Sequence, residues 1–318
     1  MSPRVSKDRF LGCLIGQAVG DALGAPFEGV PADFVFWTQG TVPELLAQCS
    51  SEVLRYTDDT QMMIGVAETL AAHGEICEDS LCHHFAANYE PERGYGTGAR
   101  RILECMAADG DWQHLAETVF PGGSFGNGAA MRVAPVGLLF CHDLRRVAEQ
   151  ARRSARPTHR HPLGIEGAQL FALAVALAVQ GPPLQRGRFY RTLEGSCGSE
   201  EFRWQVRAAR GLRRQHSVGF LGNSLPAHRS VVTAMACFTT CPDSFEGAVT
   251  KAIALGDDTD TLAAMAGALS GAHLGLAAIP QRWVERLEAG PKGAAYLRVL
   301  AERLYERYRE YNATDTRA

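Results

Sequence analysis

Two short stretches of the chain concentrate oxygen donors directly ahead of apolar runs. The first is Tyr56-Thr57-Asp58-Asp59-Thr60, followed by Gln61-Met62-Met63-Ile64. The second is Asp257-Asp258-Thr259-Asp260-Thr261, followed by Leu262-Ala263-Ala264-Met265. Helix capping accounts for one acid or hydroxyl in each, because Asp and Thr accept hydrogen bonds from the first free N–H groups and suit the positive end of the helix dipole. It does not account for five carboxylates. Neither motif contains Lys or Arg, and two carboxylates 4 Å apart repel by about 4 kcal/mol at an effective dielectric of 20. If the stretches converge, a hard cation is the simplest compensation. Carboxylate, hydroxyl and water oxygens, with no His or Cys, favour magnesium or manganese. Adjacent aspartates leave a helix about 100 degrees apart, so one can face an ion while the other bridges or serves a second, and a binuclear site is consistent with the charge count.

The elements that must position these acids are helices. Small and apolar residues recur at helical spacing over 8–23, 59–73, 164–180, 228–240 and 260–277. They cover several faces of each helix, which predicts burial all round. Many of the contact positions are Gly, Ala, Ser or Cys, which let helix axes approach closely even though Gly costs about 1 kcal/mol of helix propensity against Ala. Amphipathic helices are expected over 143–155, 200–215 and 292–313. Period-2 alternation is scarce, and Phe34-Val35-Phe36-Trp37 is the one short candidate strand. Loops are expected at 25–52, 89–97, 119–127, 156–163 and 216–227, none of them long or biased enough for a linker. The reading is a compact all-α, multi-helix bundle forming a single domain over 1–318.

Composition removes several function classes. With 32 Lys+Arg against 35 Asp+Glu and a net charge of -3, no basic field exists to hold a nucleic acid. The nine cysteines are scattered singly, without the paired spacing of a zinc ribbon or a disulfide framework. The opening MSPRVSKDRF lacks an apolar signal region, and the sequence shows no run near the roughly twenty apolar residues of a membrane span. A monomeric cytoplasmic protein with free thiols is expected. Two motif alternatives are weaker. Asp258-Thr259-Asp260-Thr261 matches the DxDxT of haloacid-dehalogenase-type phosphatases, but it lies in a helical pattern near the C-terminus without a doubly wound sheet. The DDxxD of all-α prenyl-transferring enzymes is absent from both clusters.

Five motifs in order resemble the ADP-ribosylglycohydrolase family. They are Gly20-Asp21-Ala22-Leu23-Gly24-Ala25-Pro26-Phe27-Glu28 at the end of a Gly/Ala helix, YTDDTQM at 56–62, GSFGNGAAMRVAP at 123–135, Thr158-His159, and GDDTDTLAAMAGALSGA at 256–272. The resemblance spans nearly the whole chain. It implies an all-α hydrolase with two magnesium ions, manganese being an alternative, that cleaves the bond between C1'' of a distal ribose and its acceptor in ADP-ribosylated proteins or small molecules. Carried over by position, the metal ligands would be Thr57, Asp58, Asp59, Asp258, Asp260 and Thr261. The catalytic set would be Glu28, Asp59 and Asp258. Glu28 would activate a water or protonate the leaving oxygen, and its loop has a lid-like composition.

Asp257 stands outside the ligand set and is expected to cap or turn outward. The stretch Gly123, Ser124, Phe125, Gly126 and Asn127 would cradle a diphosphate with backbone N–H groups, aided by the start of the following helix. Phe125 replaces a Tyr found in some relatives. His159 would contact diphosphate or ribose, Arg132 would brace the loop, and Gly96 would line the adenosine side. The cluster forms favour the branch acting on serine-linked, O-acetyl or polymeric ADP-ribose. An arginine-specific hydrolase and a non-catalytic ADP-ribose-binding protein stay open as alternatives.

Overall fold

The computed structural model describes residues 5–32 and 53–315. Among the described residues the chain is helical throughout. Three isolated backbone bridges, Pro31–Gly256, Leu54–Leu287 and Gly126–Pro226, take the place of strand ladders. The candidate strand at 34–37 and most of the stretch 25–52 lie outside the described residues.

The helices that position the acids are α1 (Lys7–Gly24), α2 (Asp58–His73), α3 (Thr97–Ala107), α4 (Pro162–Ala178), α5 (Val231–Thr240), α6 (Thr259–Leu274) and α7 (Ala294–Asp315). Their ends follow local chemistry. Pro162 starts α4 at a position where its missing N–H costs nothing, with His161 accepting from the Leu163 amide. Gly275, at φ 90°, stops α6.

Helices α1 and α6 lie against each other with almost no side chain between them. Gly12, Gly16, Gly20 and Gly24 recur every four residues along one stripe of α1 and face Gly271, Gly267, Ala263 and Thr259 in that order, so the pair is antiparallel. A methyl group added at Gly16 would sit 2.6 Å from the Gly267 carbonyl oxygen, and one at Gly20 would overlap that of Ala263. At the far end the Thr259 hydroxyl donates to the Gly24 carbonyl at 2.9 Å. The seam therefore brings the C-terminal end of α1 to the N-terminal end of α6.

Around this pair the remaining helices complete one continuous hydrophobic cluster. Helix α7 covers α1 through Phe10, whose ring meets Tyr305 and Tyr308 at 5.3 and 5.4 Å. The segment Lys7–Phe27 is long and apolar enough, by length and composition, to cross a membrane, contrary to the sequence reading, yet 83% of its apolar window is buried inside the protein. Its apolarity reflects packing on several sides at once.

The seam makes a specific test. Gly20→Ala is expected to destabilise the protein by about 1–3 kcal/mol or more, because the added methyl has only backbone to displace. Gly195→Ala, in the helix Arg186–Ser196 and with nothing within 4 Å of the added carbon, is expected to be neutral or stabilising by up to about 1 kcal/mol. Urea denaturation of the two variants measures the contrast.

Candidate active site

Asp21, one turn before the end of α1, is fully buried and grips the start of α2. Its Oδ1 accepts from the Thr57 amide at 2.9 Å, and its Oδ2 accepts from the Thr60 amide at 3.0 Å and the Thr60 hydroxyl at 2.5 Å. A neighbouring helix thus supplies a cap for α2 in addition to the local one, in which Thr57 Oγ1 accepts from the Asp59 amide at 3.4 Å. Local capping is therefore only part of what the first acidic cluster does. Asp58 and Asp59 project from this pinned turn toward the start of α6.

The two clusters meet there. Thr261 Oγ1 donates to Asp59 Oδ2 at 3.3 Å across the joint, and Thr57 Oγ1 reaches the same oxygen at 3.5 Å. Among the described residues, the buried Asp59 Oδ1 has no hydrogen-bond partner. Burial raises the proton affinity of Asp21, Asp58, Asp59 and Asp258, and the Asp260 charge raises it further in every case, which makes Asp260 the hub of the group. Asp21 is pushed up to about 7 and Asp258 to about 8. Asp260 is itself raised by burial. Among the described residues none of these five carboxylates is in a salt bridge.

An orphaned buried carboxylate oxygen within an all-oxygen donor set fits a hard divalent cation. As the side chains are placed, no group of three or more His, Cys, Asp or Glu among the described residues is posed to hold one ion. Two of the acids are turned to protein donors instead. Asp258 Oδ2 accepts from Asn127 Nδ2 at 2.5 Å, and Asp260 Oδ1 accepts from the Thr261 amide at 2.8 Å.

Glu28 approaches the group from the chain that leaves α1. It is exposed, yet partial desolvation and the Asp260 charge raise its proton affinity. Its loop is stitched to the residue before the second cluster: the Gly29 amide donates to the Asp257 carbonyl at 2.8 Å, and the Asp257 amide donates to the Val30 carbonyl at 2.9 Å. Asp257 sits at φ 63°, in the left-handed region, with its side chain exposed. The outward turn expected of Asp257 is present, and its backbone is what anchors the Glu28 loop.

The glycine-rich loop adjoins the second acid cluster through Asn127. Gly122 and Gly123 lie at φ 82° and 84°, and Gly123 is packed so closely on Arg160 and His161 that a Cβ would come within 2.5 Å of the His161 nitrogen. Ser124 Oγ accepts from the Gly126 amide at 3.3 Å. Phe125 is exposed and meets the His161 ring edge-on at 5.6 Å. Asn127 links the loop to the acids, its Nδ2 reaching Ser230 Oγ at 3.0 Å as well as Asp258.

His159 lies beneath this loop. Burial, with the Arg132 charge, pushes it down to about 3, so its ring is neutral; Nδ1 pairs with the Thr158 hydroxyl at 2.7 Å, and the opposite edge faces Gly126 and Gly128. Arg132 braces the loop as expected, donating to the Gly128 carbonyl at 3.3 Å and the Ser154 carbonyl at 2.8 Å. One expectation needs correcting. The helix after the loop is only Gly128–Met131, a single turn, so its dipole adds little to anion binding. Gly96 stands apart from the acids at the exposed start of α3, facing open space.

The model of the family described as ADP-ribosylglycohydrolase matches residues 2–313. The chain belongs to the ADP-ribosylglycohydrolase family. It is 34% identical to the human "ADP-ribosylhydrolase ARH3", with 89% of this chain and 90% of that protein covered. It is 28% identical to the "ADP-ribosyl-[dinitrogen reductase] glycohydrolase" of Rhodospirillum rubrum, with 88% and 90% covered. A solved structure titled "ADP-ribosylglycohydrolase-related protein complex" superposes with a TM-score of 0.75 at 29% identity, covering 95% of this chain and 98% of that one. Membership makes the chain a hydrolase and agrees with the all-α architecture.

Within this ADP-ribosylglycohydrolase fold, sequence reasoning gave Asp21 no role. The available signal was the one acid in the Phe10–Gly24 part of α1, where Gln17 is the only other polar side chain, and an acid in such a stretch demands a partner. Asn223 was also missed: its carbonyl accepts from the Asp258 amide at 3.2 Å, and its Nδ2 donates to the Leu255 carbonyl at 2.8 Å. It sits in a loop of unremarkable composition, without a comparable signal.

The raised carboxyls fix the sign of a pH effect. Each binds its proton more tightly folded than unfolded. Their contribution to stability is therefore complete below the ordinary value of 3.8 and is lost as pH rises through about 7 for Asp21 and about 8 for Asp258. In chelator, the melting temperature is expected to fall between about pH 6 and about pH 8.5, and Asp258→Asn is expected to flatten that slope. Circular dichroism melts of the two proteins provide the check.

Proposed function

We propose that this chain is a magnesium-dependent ADP-ribosyl hydrolase cleaving the bond between C1'' of a distal ribose and its acceptor, with serine-linked, O-acetyl or polymeric ADP-ribose as the substrate class. The observation that carries this reading is the contact of Thr261 with Asp59, which joins two acid clusters that have no salt-bridge partner among the described residues and that include the unpartnered buried oxygen Asp59 Oδ1. The acceptor preference is supported by the TDDT and DTDT cluster forms and by higher identity to the human "ADP-ribosylhydrolase ARH3", at 34%, than to the dinitrogen reductase glycohydrolase, at 28%.

On this reading Thr57, Asp58, Asp59, Asp258, Asp260 and Thr261 hold two ions. When bound, magnesium supplies Lewis-acid activation of water and orientation of vicinal ribose hydroxyls. The protein's own groups do the rest. Glu28, with its proton affinity raised, takes a proton from the attacking water or gives one to the leaving oxygen at the rim of the cluster. Asp59 and Asp258, once ionised beside the bound cations, would favour the positive charge that develops at C1''. In the Gly123–Asn127 loop the Gly123, Gly126 and Asn127 amides donate within the protein, which leaves the Ser124 and Phe125 amides and the neutral His159 edge to bind the diphosphate, and Gly96 borders the adenosine.

Release of free ADP-ribose from serine-linked and arginine-linked peptides, measured by mass spectrometry with magnesium present, tests the proposal. Release from the serine-linked peptide is expected. Release from the arginine-linked peptide alone would replace the acceptor assignment, and tight ADP-ribose binding without release from either would replace the enzyme by a binding protein. Asp258→Asn and Asp260→Asn are each expected to lower turnover by about 100-fold or more with the helical circular dichroism signal intact.

A further inference from the structure

Tyr56, the residue before Thr57, has all of its polar atoms held by groups far away in sequence. Its amide donates to Glu288 Oε1 at 3.1 Å, its carbonyl accepts from Arg93 Nη1 at 2.8 Å, and its hydroxyl donates to the Lys292 carbonyl at 3.2 Å. The Arg93 guanidinium also lies over the Tyr56 ring, 4.2 Å from its centre. Arg93 and Glu288 are paired in fork geometry, Nη1 to Oε1 at 2.5 Å and Nη2 to Oε2 at 3.0 Å, with the side chains only 9% and 13% exposed. An adjoining backbone pair, from the Glu288 amide to the Leu54 carbonyl at 2.9 Å, fixes Glu288 relative to the same segment.

Stability is a weak reason for such a pair, because desolvation consumes most of what a buried ion pair gains. Its hydrogen bonds go instead to both polar atoms of the Tyr56 backbone. With Asp21 holding the Thr57 amide on the next residue, the backbone entering the first acid cluster is fixed from two sides. Arg93 also begins the turn that crosses Asp58: a Cβ at Gly94 would lie 3.7 Å from Asp58 Oδ1, and Tyr95 is tied to Gln61 of α2 at 2.6 Å.

We propose that Arg93 and Glu288 are positioning residues that set Thr57 and Asp58 for divalent-cation binding and lock the Gly94–Gly96 segment onto that same half of the site. The inference rests on the metal reading given above, and one experiment separates the two. Calorimetric titration of the purified full chain with manganese chloride alone is expected to show binding by the wild type, weakened about 10-fold or more in Arg93→Met and severalfold in Glu288→Gln, where the amide oxygen can still accept from Tyr56.

The double variant Arg93→Met/Glu288→Met, which replaces the buried charges by apolar side chains, is expected to recover melting temperature relative to Arg93→Met while its manganese affinity stays weak. Tyr190→Phe, which removes a buried hydroxyl bonded to Thr239 in another part of the fold, is expected to bind manganese like the wild type whatever stability it loses. Wild-type affinity in Arg93→Met and Glu288→Gln, or affinity that recovers in step with melting temperature in the double variant, would overturn the positioning role. A wild type that takes up no manganese would overturn the metal reading and this inference together.

Discussion

The absence of side chains between α1 and α6 is the constraint on which the site depends. Where two helices meet through rotamers, their separation adjusts to whichever residues fill the gap. Here backbone faces backbone along four successive turns, so separation and register are set by covalent geometry. Asp21 is carried on one of these helices, and Asp258, Asp260 and Thr261 stand at the start of the other. The distance between the acids is therefore inherited from the seam.

The second acidic pair reaches its place by a different route. Helix α2 makes no comparable seam with α1, and its first turn is secured by a single buried carboxylate that spends both oxygens on it. Such an acid would ordinarily be a liability in an apolar interior, and its raised proton affinity records that cost. Gln17 adds a second tie, donating to the Met131 carbonyl at 2.8 Å and to the Asp59 carbonyl at 3.4 Å. The polar residues of α1 thus act as fasteners for the elements around it, and its glycines provide closeness.

Much of this was legible in the sequence, and the remainder was hidden for identifiable reasons. Helices α1, α2, α4, α5 and α6 are visible because their small and apolar residues recur at helical spacing, and their observed ends fall within a few residues of those expected. The helix Arg186–Ser196 was not singled out: RGRFYRTLEGS has two glycines and few apolar residues, and the burial of Phe189, Tyr190 and Leu193 overrides that weak propensity. The two Asp/Thr clusters announced themselves by excess charge. Their convergence did not, because it depends on which glycine stripe meets which partner. Arg93 and Glu288, separated by 195 positions, carry no mutual signal at all.

Arg132 places a fixed charge beside the glycine loop. Its guanidinium is 1% exposed and hydrogen-bonds backbone carbonyls, with no salt-bridge partner among the described residues, while burial lowers it only to about 9, so it keeps its charge at neutral pH. That cation lies against the Gly128 carbonyl directly after the glycine loop, and its charge helps to hold the His159 ring neutral. The end of the glycine loop thus carries a full positive charge held by carbonyl dipoles, which stays in place whatever the acids do with their protons.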